Sequence, residues 1–284
     1  DIDSDGYIDL MYTVDIMGHV WRFDINDATT TASNFATGGI IAQLGDYDTN
    51  SANDAPNLRR FYYAPDVAFF SLRGDRAFLS VSLASGYRAH PRDMTVTDRV
   101  YTLFDPSPFG APVDKNGKVD YTLIDTTDNK PLDEGDLFDA TSSPADKLTN
   151  APYGWYKTLQ GTNEKGLSPV TTFGGALLFT TYLPAGSAPS GSACGVDIGS
   201  GRIYAINVLT GGGEITADNN VKTEYVELAR SGVPPVPTII FSDDSSSYTD
   251  GNGDNQVERK SKPILCVAAE CFDEMLPNSD ILTR

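Results

Sequence analysis

The chain has 284 residues, 40% of them hydrophobic, which is enough to bury one large core or two ordinary ones. Its 21 Lys and Arg against 39 Asp and Glu give a formal net charge of -18, which repels phosphate backbones and anionic lipid surfaces and argues against a nucleic-acid partner. No apolar run of about 18 residues occurs and no basic-then-apolar leader is visible, so no membrane span is expected in this chain.

The first stretch, Asp1-Ile2-Asp3-Ser4-Asp5-Gly6-Tyr7-Ile8-Asp9, places carboxylates at loop positions 1, 3, 5 and 9, a glycine at 6 and a main-chain carbonyl at 7. That is the hard-oxygen set a Ca²⁺ ion takes at roughly 2.3 to 2.6 Å. Tyr12 stands where an EF-hand carries its bidentate glutamate, and the residues that follow alternate as a strand does, so Asp9 completes the cage. The candidate metal ligands are therefore Asp1, Asp3, Asp5, the Tyr7 carbonyl and Asp9, with Ca²⁺ as the cofactor. The plainer alternative is an acidic turn whose aspartates bond only their own backbone. Weak calcium sites fill at roughly 10⁻⁴ to 10⁻³ M, a level that points outside the cell. A chain that opens on the first ligand of such a loop also reads as the middle of a longer protein.

From residue 10 onward the recurring unit is a short alternating strand, a Gly/Asp/Asn/Ser turn and another strand, the pattern of a many-stranded antiparallel protein. Three stretches align as equivalents: Gly18-His19-Val20-Trp21-Arg22-Phe23-Asp24-Ile25, residues 98–105 and residues 201–208. Partner strands precede the second at 65–70 and 77–83, and the third at 169–172 and 176–182. A fourth start at 234–241 leads to 263–267. Units in series that cannot bury their faces alone predict an all-β, modified β-propeller or the C-terminal blades of one. Long polar insertions are expected at 26–58, 106–152, 184–198 and 242–262.

Within the last insertion, Asp250, Asn252, Asp254 and Glu258 form a weaker second metal candidate, because the glycines sit at loop positions 2 and 4. Residues 114–120 carry two lysines and read as a hairpin turn. Cys266 and Cys271 are close enough to bridge if the four residues between them turn back, whereas Cys194 is left over or pairs elsewhere. Catalysis has little support. The two histidines, His19 and His90, lie far apart and read as structural, and acidic pairs such as Asp133-Glu134 and Asp243-Asp244 read as solvated charge. Trp21, Trp155, Tyr101 and Tyr204 fall at alternating positions and read as residues that pack the blades.

Residues 10–25, the segment Ser85-Gly86-Tyr87-Arg88-Ala89-His90-Pro91, Gly154-Trp155-Tyr156, residues 169–183 and residues 201–212 together resemble the C-terminal domain of PilY-type type IV pilus assembly and tip-adhesin proteins. The likeness runs from residue 1 to about 240 and makes residues 1–284 the C-terminal propeller region of a longer chain, with 242–284 a poorly matching tail. His19 departs from the small polar residue usual in that family before the tryptophan. The resemblance implies a non-enzymatic propeller with one Asp-rich Ca²⁺ loop, displayed outside the cell at the pilus tip or outer cell surface. It also implies minor pilins and a host or abiotic surface as partners, and a role in pilus extension, retraction and adhesion. The rival expectations are a propeller enzyme, either a hydrolase or a quinone-dependent dehydrogenase, and a calcium-stabilised carbohydrate-binding module. The module would use loop aromatics such as Tyr47, Tyr153 and Tyr248.

Overall fold

The computed structural model describes residues 5–26, 28–29, 31–45, 57–72, 76–124, 130–146, 148–185, 198–216, 222–249 and 255–272. Strands dominate, and no α-helix occurs among these residues. A first antiparallel sheet runs β1 (Leu10–Val14), β2 (His19–Ile25), β3 (Ala36–Gln43), with Leu10 opposite Asp24 and His19 opposite Gln43. A second contains β4 (Asp66–Ser71), β5 (Ala77–Ala84), β6 (Arg99–Asp105), β7 (Phe138–Asp139) and β8 (Gly154–Thr158) in the order β4-β5-β6-β8-β7, its last pair parallel. The third is built on β10 (Thr171–Phe173), β11 (Ala176–Leu183), β12 (Ser200–Asn207) and β15 (Tyr225–Ser231), with β9 (Lys165–Gly166) also on β11. A small hairpin, β13 (Ile215–Thr216) and β14 (Lys222–Thr223), lies between β12 and β15 in the chain. The last sheet is β16 (Thr238–Thr249), β17 (Asn255–Val267) and β18 (Glu270–Phe272).

The cores explain why the inner strands are apolar on both faces. Side chains alternate across a strand, so β6 sends Tyr101 and Leu103 one way and Val100 and Phe104 the other. The first set packs with Tyr12, Val20, Ile41 and Phe61 of the first sheet region, and the second with Leu177, Phe179, Tyr204 and Ile206 of the third sheet. From the third sheet, Leu178, Ile203 and Ala205 meet Leu265 and Val267 of the last. The four larger sheets thus stack face against face in chain order, and none closes on itself among the described residues.

Two expected insertions are corrected. Residues 26–58 contain β3, a full strand of the first sheet, and 242–262 supplies the arms of a long two-stranded ribbon in which Ser242 faces Lys262 and Thr249 faces Asn255. Neither stretch shows apolar alternation: β3 carries Gly38-Gly39 at its middle and the ribbon arms are almost wholly polar. Cys266 and Cys271 face each other across β17 and β18 and are disulfide-bonded, with Cα atoms 4.1 Å apart, while Cys194 lies outside the described residues.

Candidate metal loop and its anchors

The acidic loop enters the described structure at Asp5. Asp5 Oδ1 accepts the Tyr7 N–H at 2.8 Å, Gly6 sits at φ +93° where a Cβ would be strained, and Tyr7 and Ile8 are each 66% exposed. The Asp9 carbonyl accepts the Ile25 N–H at 2.7 Å, so the loop exit is pinned to the end of β2 before β1 begins. Asp1 and Asp3 lie outside the described residues, and no cluster of three metal-ligating side chains forms among those described. The donors present, the carboxylates of Asp5 and Asp9 and the Tyr7 carbonyl, are hard oxygens of the kind Ca²⁺ takes, and the Gly6 turn suits a chain wrapped round an ion. The Asp5 to Tyr7 bond is equally the acidic turn of the plainer reading.

Sequence reasoning missed what anchors this hairpin. Asp15, in the turn between β1 and β2, collects the backbone N–H groups of Met17 (2.8 Å) and His19 (3.1 Å), the His19 ring at Nδ1 (2.8 Å) and the Trp21 indole N–H (3.0 Å). Partial burial raises its pKa, but the hydrogen bonds from Trp21, His19 and Met17 outweigh that and hold the carboxyl below the usual carboxylate range. His19 is therefore a structural histidine that braces the turn. Trp21 is only half-buried, stacked on Phe23 with ring centroids 6.3 Å apart on a face away from the cores. The signal was present as an Asp four residues before a His and six before a Trp, but only the turn shows that they meet.

Behind the hairpin, Arg22 is fully buried and uses all five of its donors. Two go to Asp24 (3.0 and 2.6 Å), one to Asp105 on β6 (2.7 Å), and two to the carbonyls of Ser107 (2.8 Å) and Gly110 (2.7 Å). Tyr12 donates to Asp105 at 2.8 Å and Tyr121 to Asp24 at 2.8 Å. Burial, then the Asp105 charge, push the Tyr12 hydroxyl far above its ordinary pKa, and burial pushes Tyr121 up to about 12. The first sheet, and with it the loop exit at Asp9, is thereby fixed to the second.

The remaining candidates fall elsewhere. Asp250, Asn252 and Asp254 lie outside the described residues, and Glu258 falls within β17 opposite Ser246. Residues 114–120 form the expected hairpin turn, Asp114 accepting from Asn116 N (2.8 Å) and Lys118 N (2.9 Å). Trp155, Tyr101 and Tyr204 are buried between sheets. Tyr47 lies outside the described residues, and Tyr153 packs on the first core. Other buried carboxylates are tied into the frame. Glu164 accepts from Arg202 (2.8 Å), Tyr204 (3.0 Å) and Thr181, and Asp98 accepts from Ser85 (2.7 Å) beside Lys165 (3.5 Å).

No family model matches the chain, and no curated protein matches it. Among solved structures, the crystal structure of the Pseudomonas aeruginosa PilY1 C-terminal domain matches with a TM-score of 0.54 at 17% identity. The match covers 95% of this chain and 58% of that one, so the chain spans a little over half the length of the solved domain. The chain is all-β and shares with the PilY1 C-terminal domain the architecture of a modified, propeller-like stack of open sheets.

Proposed function

We propose that this chain is a calcium-binding, non-enzymatic propeller module of a type IV pilus assembly or tip protein, displayed at the pilus tip or outer cell surface. The supporting observation is a nine-residue acidic loop leading straight into the first strand of a fold like that of the PilY1 C-terminal domain. Asp1, Asp3, Asp5 and Asp9, with the Tyr7 carbonyl, would hold the ion, whose charge offsets the repulsion of four carboxylates in one turn. The chain's own part is mechanical. The Asp9 to Ile25 bond and the Arg22 network carry any ordering of the loop into the first and second sheets. Occupancy would then bias a surface that minor pilins or an external host or abiotic surface contact, as a switch supporting extension, retraction and adhesion.

The test is calorimetric calcium titration of the chain and of Asp5→Ala, with thermal unfolding and capture of purified minor pilins followed with and without calcium. Saturable binding that raises the melting temperature, strengthens pilin capture and disappears in the variant is the expected result. An intact chain that binds no calcium overturns the metal reading, and calcium binding without any pilin capture overturns the pilus role.

A further inference from the structure

The segment Ser85-Gly86-Tyr87-Arg88-Ala89-His90-Pro91, between β5 and β6, has no part in the calcium reading. Its base is rigid. Ser85 Oγ donates to Asp98 (2.7 Å) and accepts from Arg99 N (2.9 Å), Gly86 N donates to the Arg60 carbonyl (3.1 Å), and Gly166 N donates to the Ser85 carbonyl (2.9 Å). Above that base, the N–H groups of Arg88, His90 and Asp93 bond carbonyls within the loop, of Gly86, Tyr87 and His90 respectively (3.0, 3.0 and 2.9 Å).

The side chains gather around the rings of Tyr62, Tyr63 and Tyr87. The Arg60 guanidinium lies 4.2 Å over the Tyr87 ring, Tyr62 stacks on Tyr87 at 6.5 Å, and His90 meets its edge at 4.8 Å. Arg88 sits 5.3 Å over the Tyr63 ring and donates from Nη1 to its hydroxyl and, at 3.5 Å, to the Leu167 carbonyl, which leaves its other donors to a ligand. Arg88, His90 and Arg92 are exposed, and Tyr62 is 37% exposed. Tyr87, Ala89, His90, Pro91, Arg92 and Asp93 line a hollow of about 420 Å³. In a chain of net charge -18, Arg22, Arg59, Arg99 and Arg202 each meet a carboxylate, whereas Arg60, Arg88 and Arg92 meet none among the described residues. The loop's own acid, Asp93, accepts from the Thr95 hydroxyl at 2.9 and 3.0 Å.

We propose that this surface binds an acidic polysaccharide, with Arg88 and Arg92 taking uronate carboxylates while Tyr62 and the wall of Tyr87 and Pro91 take the apolar faces of the sugar rings. Guanidiniums that meet no carboxylate of the chain among the described residues, set beside aromatic rings, match a ligand that carries a carboxylate on the rim of a C–H-rich ring. An acidic peptide fits less well, because the inward-bonded N–H groups of Arg88, His90 and Asp93 leave no strand-like ladder for its backbone to join. The inference stands apart from the calcium loop, since no candidate ligand belongs to this segment.

The experiment is calorimetric titration of the chain, in chelator, with oligogalacturonate, with a neutral oligogalactoside of equal length and with an oligoglutamate peptide. The oligogalacturonate should bind saturably and more weakly as salt rises, the neutral sugar not at all and the peptide much more weakly. Arg92→Ala and Arg88→Ala should each lower oligogalacturonate affinity about tenfold, the loss of one charge-assisted contact, and Arg92→Lys should retain part of it. Circular dichroism checks that these surface variants stay folded, and Tyr62→Ala gives an independent loss through stacking. No binding, binding indifferent to all these substitutions, or equal binding of oligoglutamate overturns the proposal.

Discussion

At the scale of single residues, the polar side chains that matter most here are those with several partners at once. Asp15 is the clearest. Its four hydrogen bonds favour the charged form, so its pKa is depressed below the ordinary 3.8 and its ionised form is tied to the folded state. A depressed carboxylate contributes stability that is fully present above the unfolded value and is lost as pH falls through the folded one. Asp15→Asn should therefore lower the urea-unfolding midpoint at neutral pH. The gap from the parent should narrow once pH falls below the ordinary 3.8 and close as pH passes the lower folded value, where the parent's own carboxyl is protonated. A gap that stays constant down to acid pH would mean that the turn is held by shape and not by the carboxylate's charge. Arg22 follows the same logic in a dry setting: buried between Asp24 and Asp105, it is tolerable only because every donor has an acceptor.

At the scale of elements, legibility followed burial. β2, β6 and β12 could be aligned from sequence because a strand sandwiched between cores, or facing one, shows its apolar period directly, and the partners β4, β5, β10 and β11 followed from the same pattern. β3 was hidden by Gly38-Gly39, whose reason is a neighbour distant in sequence: a Cβ on Gly39 would lie 2.6 Å from Tyr121 Cδ2. The ribbon arms beyond residue 242 were hidden because almost no apolar residue marks them; backbone pairing alone defines them. Of the metal loop, sequence supplied the oxygen spacing, while its anchoring by Asp9, Asp15 and Arg22 depends on contacts that spacing cannot encode. The β3 case makes a prediction against propensity. Gly39→Val adds a residue that favours strands, yet it should destabilise the protein by about 1–3 kcal/mol, as overpacking does, because Tyr121 must move. Tyr121 would then lose its hydroxyl contacts to Asp24 and Thr37 (2.8 and 2.9 Å). Thermal unfolding of the parent, Gly39→Val, Tyr121→Ala and the double variant checks this: Gly39→Val should cost less in the Tyr121→Ala background than in the parent, and an equal cost in both would mean that the clash is not the cause.

At the scale of the whole molecule, two features act together: sheets stacked in series, and a net charge of -18. An inner sheet contributes to the core on each side, so loosening one sheet removes support from its neighbour. Self-repulsion of the excess carboxylates acts on the whole stack and weakens as ions screen it over a Debye length of about 8 Å at physiological salt. Sodium chloride should then raise the melting temperature gradually, and by the same amount in the parent and in Asp5→Ala, because screening is indifferent to one acidic residue among 39. Calcium substituted for sodium at constant ionic strength should add a second rise that saturates, as binding to the folded state alone requires, and only in the parent. The difference between the two curves isolates the loop from the general charge of the surface. If Asp5→Ala gains as much from calcium as the parent does, the ion is acting on the acidic surface at large. The loop would then be an acidic turn in which the Asp5 carboxylate takes the Tyr7 N–H, held by hydrogen bonds of the chain itself and not by an ion.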